Sequence, residues 1–152
     1  MRTSHITAWT LATGFALVAP GGPVLAETGA ELAKPLALST IMQNLGKNMQ
    51  AITNGISRED WELVAKIAPM IADHPQPPLV EKVRILSFVG SYAAKFKGYD
   101  EKSRHAAQSL KQAAMRQDGP VVVSAFASLQ NSCLACHQSF RKPFKEHFYG
   151  QN

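Results

Sequence analysis

From Leu36 to Ile56 the apolar side chains fall at Leu38, Ile41, Met42, Leu45, Met49, Ile52 and Ile56. Steps of three and four put them on one stripe of an α-helix, and such a stripe needs an apolar partner to cover it. The same spacing returns further along the chain, and the two-residue alternation of a half-buried strand appears nowhere. A chain written this way must pack helix on helix.

The boundaries follow from punctuation. Pro35 suits the first turn of the opening helix and Asn54-Gly55 its frayed end. Ser57-Arg58-Glu59-Asp60 reads as a cap followed by acidic first-turn residues. Trp61, Val64, Ala68 and Ile71 then carry a second helix, with Pro69 expected to kink or loosen its last turn. Asp73 to Pro78 contains three prolines and forms a stiff, non-helical connection. Leu79 to Val89 is a short helix with Leu79, Val83 and Leu86 on one side. A third main helix spans roughly 91–117 through Tyr92, Phe96, Tyr99, Ser103, Ala106, Leu110, Ala113 and Gln117, with Gly98 costing it about 1 kcal/mol relative to alanine. After Asp118-Gly119-Pro120 the last helix presents Val122, Phe126, Leu129, Cys133, Cys136, His137 and Phe140 on one face, and Pro143 should end or bend it. The sequence therefore predicts an all-α protein, an antiparallel up-down-up-down four-helix bundle.

Chemistry is concentrated in Cys133-Leu134-Ala135-Cys136-His137. Cys-x-x-Cys-His is the attachment signature of a c-type haem: two thioether bonds hold the porphyrin, and the histidine is the proximal iron ligand. Offsets of three and four residues set both sulfurs and the imidazole on one helical face. A zinc site would want a second pair of ligands, and the chain has no third cysteine. A thioredoxin-type motif opens a helix after a strand, whereas this one lies late in a helical pattern. The predicted cofactor is one covalently bound haem c with its iron.

Haem of this kind is attached outside the cytoplasm, and residues 1–26 read as a signal peptide. Arg2 and His5 form a short positive start, Ala8 to Ala19 are mostly apolar, and Val24-Leu25-Ala26 offers small residues for cleavage. The apolar run is too short, and too broken by Pro20-Gly21-Gly22-Pro23, to span a bilayer. Residues 27–152 are then one exported domain, expected in the periplasm. No other segment reads as apolar enough to cross a membrane, so no stable insertion is expected. The chain has 16 Lys+Arg against 11 Asp+Glu, and one of the positive charges, Arg2, falls in the leader. That mild excess can steer an acidic redox partner, but no dense basic run points to nucleic acid.

With the motif on the last helix, the chain resembles the class II c-type cytochromes, the cytochrome c prime family, over about residues 36–142. Cys133 to His137 continues as Gln138-Ser139-Phe140-Arg141, similar to the Cys-His-x-x-Phe-Arg form of that family. The run Ile41-Met42-Gln43-Asn44-Leu45-Gly46-Lys47-Asn48-Met49 resembles its low-spin members, and this resemblance implies Met42 as the sixth iron ligand. No arginine stands before that position, only Lys34, so the family's distal arginine is not carried over. The family also implies a homodimer through the first two helices.

From the residues alone, Met42 and Met49 lie on one stripe about 10 Å apart, and only one of them can face the iron. Arg141, four residues after His137, is placed to meet a haem propionate. Phe126, Leu129 and Phe140 share the motif's face and are expected to wall the haem. His74, His105 and His147 read as surface or structural residues, and Trp61 as core. The leading functional expectation is a periplasmic one-electron carrier without catalytic turnover, ligated by His137 and Met42 and serving redox partner proteins. The alternative is a five-coordinate protein binding nitric oxide or carbon monoxide, its open distal side lined by Leu38, Ile41 and Leu45. A third is a subunit whose haem serves a larger oxidoreductase.

Overall fold

A computed structural model describes residues 36–150. The expected leader 1–26, Lys34 and Pro35 lie outside the described residues. Within them the chain is entirely helical, with α1 at Leu38–Ser57, α2 at Trp61–Ala72, α3 at Leu79–Val89, α4 at Ala93–Met115 and α5 at Gly119–Tyr149. A 3-10 turn, Gly90–Tyr92, leads into α4. The four main helices α1, α2, α4 and α5 are those the apolar stripes predict.

The first link is tighter than the sequence reading had it. Ser57 is the last residue of α1 rather than a cap. Glu59 turns left-handed at φ 55°, and the N–H groups of Arg58 and Asp60 donate back to the Gly55 carbonyl at 3.2 and 2.9 Å. Asp60 caps α2, accepting from the Leu63 N–H at 3.0 Å. The hairpin closes so tightly that a β-carbon on Gly55 would stand 2.9 Å from Val64 Cγ2.

Neither helix-internal proline ends its helix. Beyond Pro69, α2 continues to Ala72, and the Asp73 N–H closes the turn on the Pro69 carbonyl at 2.8 Å. Beyond Pro143, α5 runs on to Tyr149. Phe144 and Phe148 pack into an aromatic cluster there, and the Tyr149 hydroxyl donates to the Leu36 carbonyl at 3.1 Å. Tertiary packing over two extra turns outweighs the bond the proline forfeits.

Two apolar assemblies hold the bundle. The main core joins Ile52, Val64, Ala68, Ile71, Ala107, Leu110, Ala113, Val122 and Leu129, with Trp61 packed against it. The second gathers Leu36, Ile85, Val89, Phe140 and Phe144 with Phe88, Phe96, Tyr99 and Phe148 around them. Phe96 meets Phe140 edge-on at 5.2 Å, and Phe88 meets Phe144 edge-on at 5.1 Å. Helix α3 joins through Ile85 and Val89. The stripe picked out in the sequence faces solvent instead: Leu79, Val83 and Leu86 are 77%, 56% and 52% exposed. One short helix carries apolar residues nearly all round, and periodicity alone could not choose between its sides.

A second correction concerns α5. It is long and apolar enough to cross a membrane by length and composition, contrary to the reading that no segment beyond the leader is. From Gly119 to Phe140 it carries no Asp, Glu, Lys or Arg. Here the helix is a bundle element, burying Val122, Leu129, Phe140 and Phe144.

Candidate haem-attachment site

Around the bundle, α1 packs on α2, α2 on α4, and α4 on α5, whereas α1 and α5 touch only sparsely. The fourth side of the square is therefore the open one. The uncharged stretch of α5 borders it and leaves apolar surface uncovered, including Leu134 at 52% exposure.

The attachment motif sits in the middle of α5, where no helix end intrudes. Both cysteines are half-buried free thiols. Cys133 packs on the main core and Cys136 on the aromatic cluster. Burial raises the Cys133 thiol above its ordinary range, while the hydroxyls of Ser103 and Ser132 beside it pull the other way. Cys136 is pushed up to about 11, first by burial and then by the neighbouring Cys133 and Asp100. Thiols held this way stay protonated near neutral pH, unlike the low-pKa cysteines of disulfide exchange. Among the described residues no group of three or more His, Cys, Asp and Glu could hold a metal ion.

His137 lies at the exposed edge of the same face. Its imidazole is shifted below the usual histidine range, first by desolvation and then by the Arg141 guanidinium one turn on. Both effects favour the neutral ring, whose lone pair is what an iron requires. Arg141 stands one turn from His137 and is exposed.

Met42 is 40% exposed, whereas Met49 packs against the main core. Seven residues apart, Met42 and Met49 lie within about 20° of each other around α1, so it is exposure rather than helical face that differs between them. The two methionines that the stripe alone left equivalent differ in exposure: Met49 is partly buried against the main core, and Met42 stands more open to solvent. The expected haem-walling residues divide as well. Leu129 is fully buried in the main core with Phe126 packed on it, and Phe140 belongs to the aromatic cluster on which Cys136 rests.

Some site residues had little sequence signal. The Ser103 hydroxyl lies 3.0 Å from that of Ser132, and the Tyr99 hydroxyl lies 3.2 Å from that of Ser139. Tyr99 and Ser103 appeared on the α4 stripe, but nothing marked their partners. Asp100 is held by His74 at 3.2 Å and by Arg104 Nε at 2.9 Å. Arg104 also donates to the Ala72 carbonyl, and His74 Nδ1–H donates to the Ile71 carbonyl at 2.9 Å, which ties the end of α2 to α4. This gives His74 the structural role its sequence reading suggested. His147 stacks on Phe88 with ring centroids 4.5 Å apart, and His105 is exposed.

The residues present fit a covalent haem c: two thiols raised by burial and an imidazole shifted toward its neutral form share one face of an α5 stretch that carries no charge. No curated protein sequence matches the chain significantly. The family model described as Cytochrome C' matches residues 37–141, from the start of α1 through the attachment motif to Arg141. With most of the chain inside that match, the protein belongs to the cytochrome c prime family, which implies a covalently bound haem c.

Proposed function

We propose that the protein is an exported, periplasmic monohaem cytochrome that carries single electrons between partner proteins. Cys133 and Cys136 would hold the porphyrin, His137 would be the proximal ligand and Met42 the sixth. When bound, haem c supplies a one-electron ferric–ferrous couple, and Met/His ligation favours the ferrous form. The chain's part would be to exclude water with the uncharged stretch of α5, favour the neutral form of His137 and supply Met42 as a further ligand. Arg141 would meet a propionate through a charge-assisted hydrogen bond. Residues 1–26 would be removed on export, and the mild positive charge would guide acidic partners. A homodimer remains part of the proposal through family analogy.

One observation carries this reading. Both attachment cysteines and His137 sit mid-helix on one face of α5, Cys133 half-buried against the main core, Cys136 half-buried against the aromatic cluster, and His137 exposed beside them. The test is a visible spectrum of oxidised and reduced protein, before and after carbon monoxide, together with acid–acetone extraction. Pigment that stays with the protein, low-spin bands in both states and slow carbon monoxide uptake support the carrier. Extractable pigment removes the attachment reading. A high-spin protein that binds carbon monoxide at once transfers the lead to the gas-binding alternative, with Leu38, Ile41 and Leu45 lining an open distal side.

A further inference from the structure

Ser132 immediately precedes Cys133, and Ser139 follows His137 by two residues, so the two serines bracket the attachment motif. Both reach across to α4. Ser132 Oγ lies 3.0 Å from Ser103 Oγ, and Ser139 Oγ lies 3.2 Å from the Tyr99 hydroxyl. On α5 the serines are seven residues apart, and on α4 their partners are four apart. The two bonds therefore fasten the antiparallel helices on either side of the motif. Each hydroxyl of the Ser103–Ser132 pair also reaches a carbonyl of its own helix, Ser132 that of Leu129 at 2.7 Å and Ser103 that of Tyr99 at 3.1 Å, so the cross-helix bond forms when one of the two turns its single proton to the other.

Helix geometry gives the bonds a consequence. At about 100° per residue, Ser132 and Ser139 lie within about 20° of each other around α5, and His137 is turned about 140° from Ser132. Cys136 and Cys133 fall between, at about 40° and 100°. With the serine line pinned to α4, α5 cannot roll, and His137 is held toward the flank that α4 does not cover. Two bonds at different heights also prevent a shift along the axis, which one bond would allow. An apolar interface between helices tolerates small rolls, and hydroxyl pairs with one short geometry do not.

We propose that Tyr99–Ser139 and Ser103–Ser132 are positioning clasps that set the angle at which α5 presents His137 and the two attachment cysteines. This rests on the haem-attachment reading above. Outer-shell hydrogen bonds commonly tune a metal site in this way. Here they act on the helix that carries the ligand rather than on the ligand's own ring.

The test uses the holoprotein and four hydroxyl deletions, Tyr99→Phe, Ser139→Ala, Ser103→Ala and Ser132→Ala, with both double variants. Ser128→Ala is the control, because that hydroxyl bonds only within α5, to the Ser124 carbonyl. Tyr99→Phe leaves the ring against Phe140. The readouts are the midpoint potential and the ferric electron paramagnetic resonance spectrum, measured alongside the melting temperature. Each single deletion should shift both the potential and the spectrum. The Tyr99→Phe/Ser139→Ala double should shift them no further than its larger single, because one bond is lost only once. Ser103→Thr, which restores the hydroxyl, should restore the potential. If melting temperatures fall while potential and spectrum match wild type, the clasps are ordinary stabilising bonds and the proposal is overturned. A wild-type protein without covalent haem overturns the attachment reading itself, and haem content distinguishes that result from the other.

Discussion

At Met42 the chemistry of a residue and its placement have to be considered together. Sequence spacing set it and Met49 on one stripe, and only the resemblance chose between them. The fold adds that Met49 is packed on the core while Met42 stands partly exposed. Met42→Ala should turn the protein high-spin, speed carbon monoxide binding and lower the potential. Met49→Leu, a near-isosteric core change, should leave the spectrum as it is. If the two variants have the same spectrum as each other, the assignment of Met42 fails. Gly55 makes a different point, since its sequence context suggested only a frayed helix end. In fact it is buried where α1 meets α2, and a β-carbon would meet Val64 Cγ2 at 2.9 Å and the Asp60 carbonyl at 3.3 Å. Gly55→Ala should therefore cost about 1–3 kcal/mol by overpacking, despite alanine's better helix propensity. Denaturant unfolding showing an unchanged or higher midpoint would contradict this. The motif was legible because covalent attachment fixes residue types and offsets. The close approach at Gly55 was not, because it depends on a neighbour nine residues away in another helix.

At the scale of elements, the four main helices were legible from their stripes, while caps and breaks were less so. A proline removes one hydrogen bond wherever it stands, but whether the helix continues depends on what lies beyond it. Past Pro143 that is Phe144, Phe148 and Tyr149, each with partners on other elements. The junction of α2 with α4 was equally hidden, because it is made by polar residues distant in sequence. Asp100 there is held below the usual carboxylate range, first by its hydrogen bond with His74 and then by Arg104, with burial opposing both. A carboxyl depressed in the folded state contributes stability above its unfolded value, about 3.9. That contribution is lost as pH falls through the folded value. Asp100→Asn should thus lower the melting temperature at neutral pH, and the gap from wild type should narrow steadily below about pH 4. A gap that persists undiminished into strong acid would mean the carboxylate's charge is not what holds the junction.

For the whole molecule, the decisive property is asymmetry: three sides of the bundle are well packed and the fourth is not. Nothing in the periodicity of α1 or α5 could reveal this, since a stripe shows that a face is covered without showing by what. On the proposed function, the haem that the motif would hold is what would cover that side, between α5 and α1. Helix α1 would then be held in two ways, by α2 at Gly55 and across the open side by the group bonded to α5. Without the second, its docking free energy should fall much further than that of α4 or α5, which bury Leu110 and Leu129 against each other's core. Amide hydrogen exchange on a Cys133→Ser/Cys136→Ser protein measures this directly. The amides of α1 should open by local fluctuation and exchange well ahead of those of α4 and α5, and in the haem-loaded wild type this lead should shrink or vanish. If α1 in the haem-free protein is as slow to exchange as α4, the α1–α2 hairpin is self-sufficient. The open side would then be a surface cleft, and the haem would add chemistry to a bundle that is already complete.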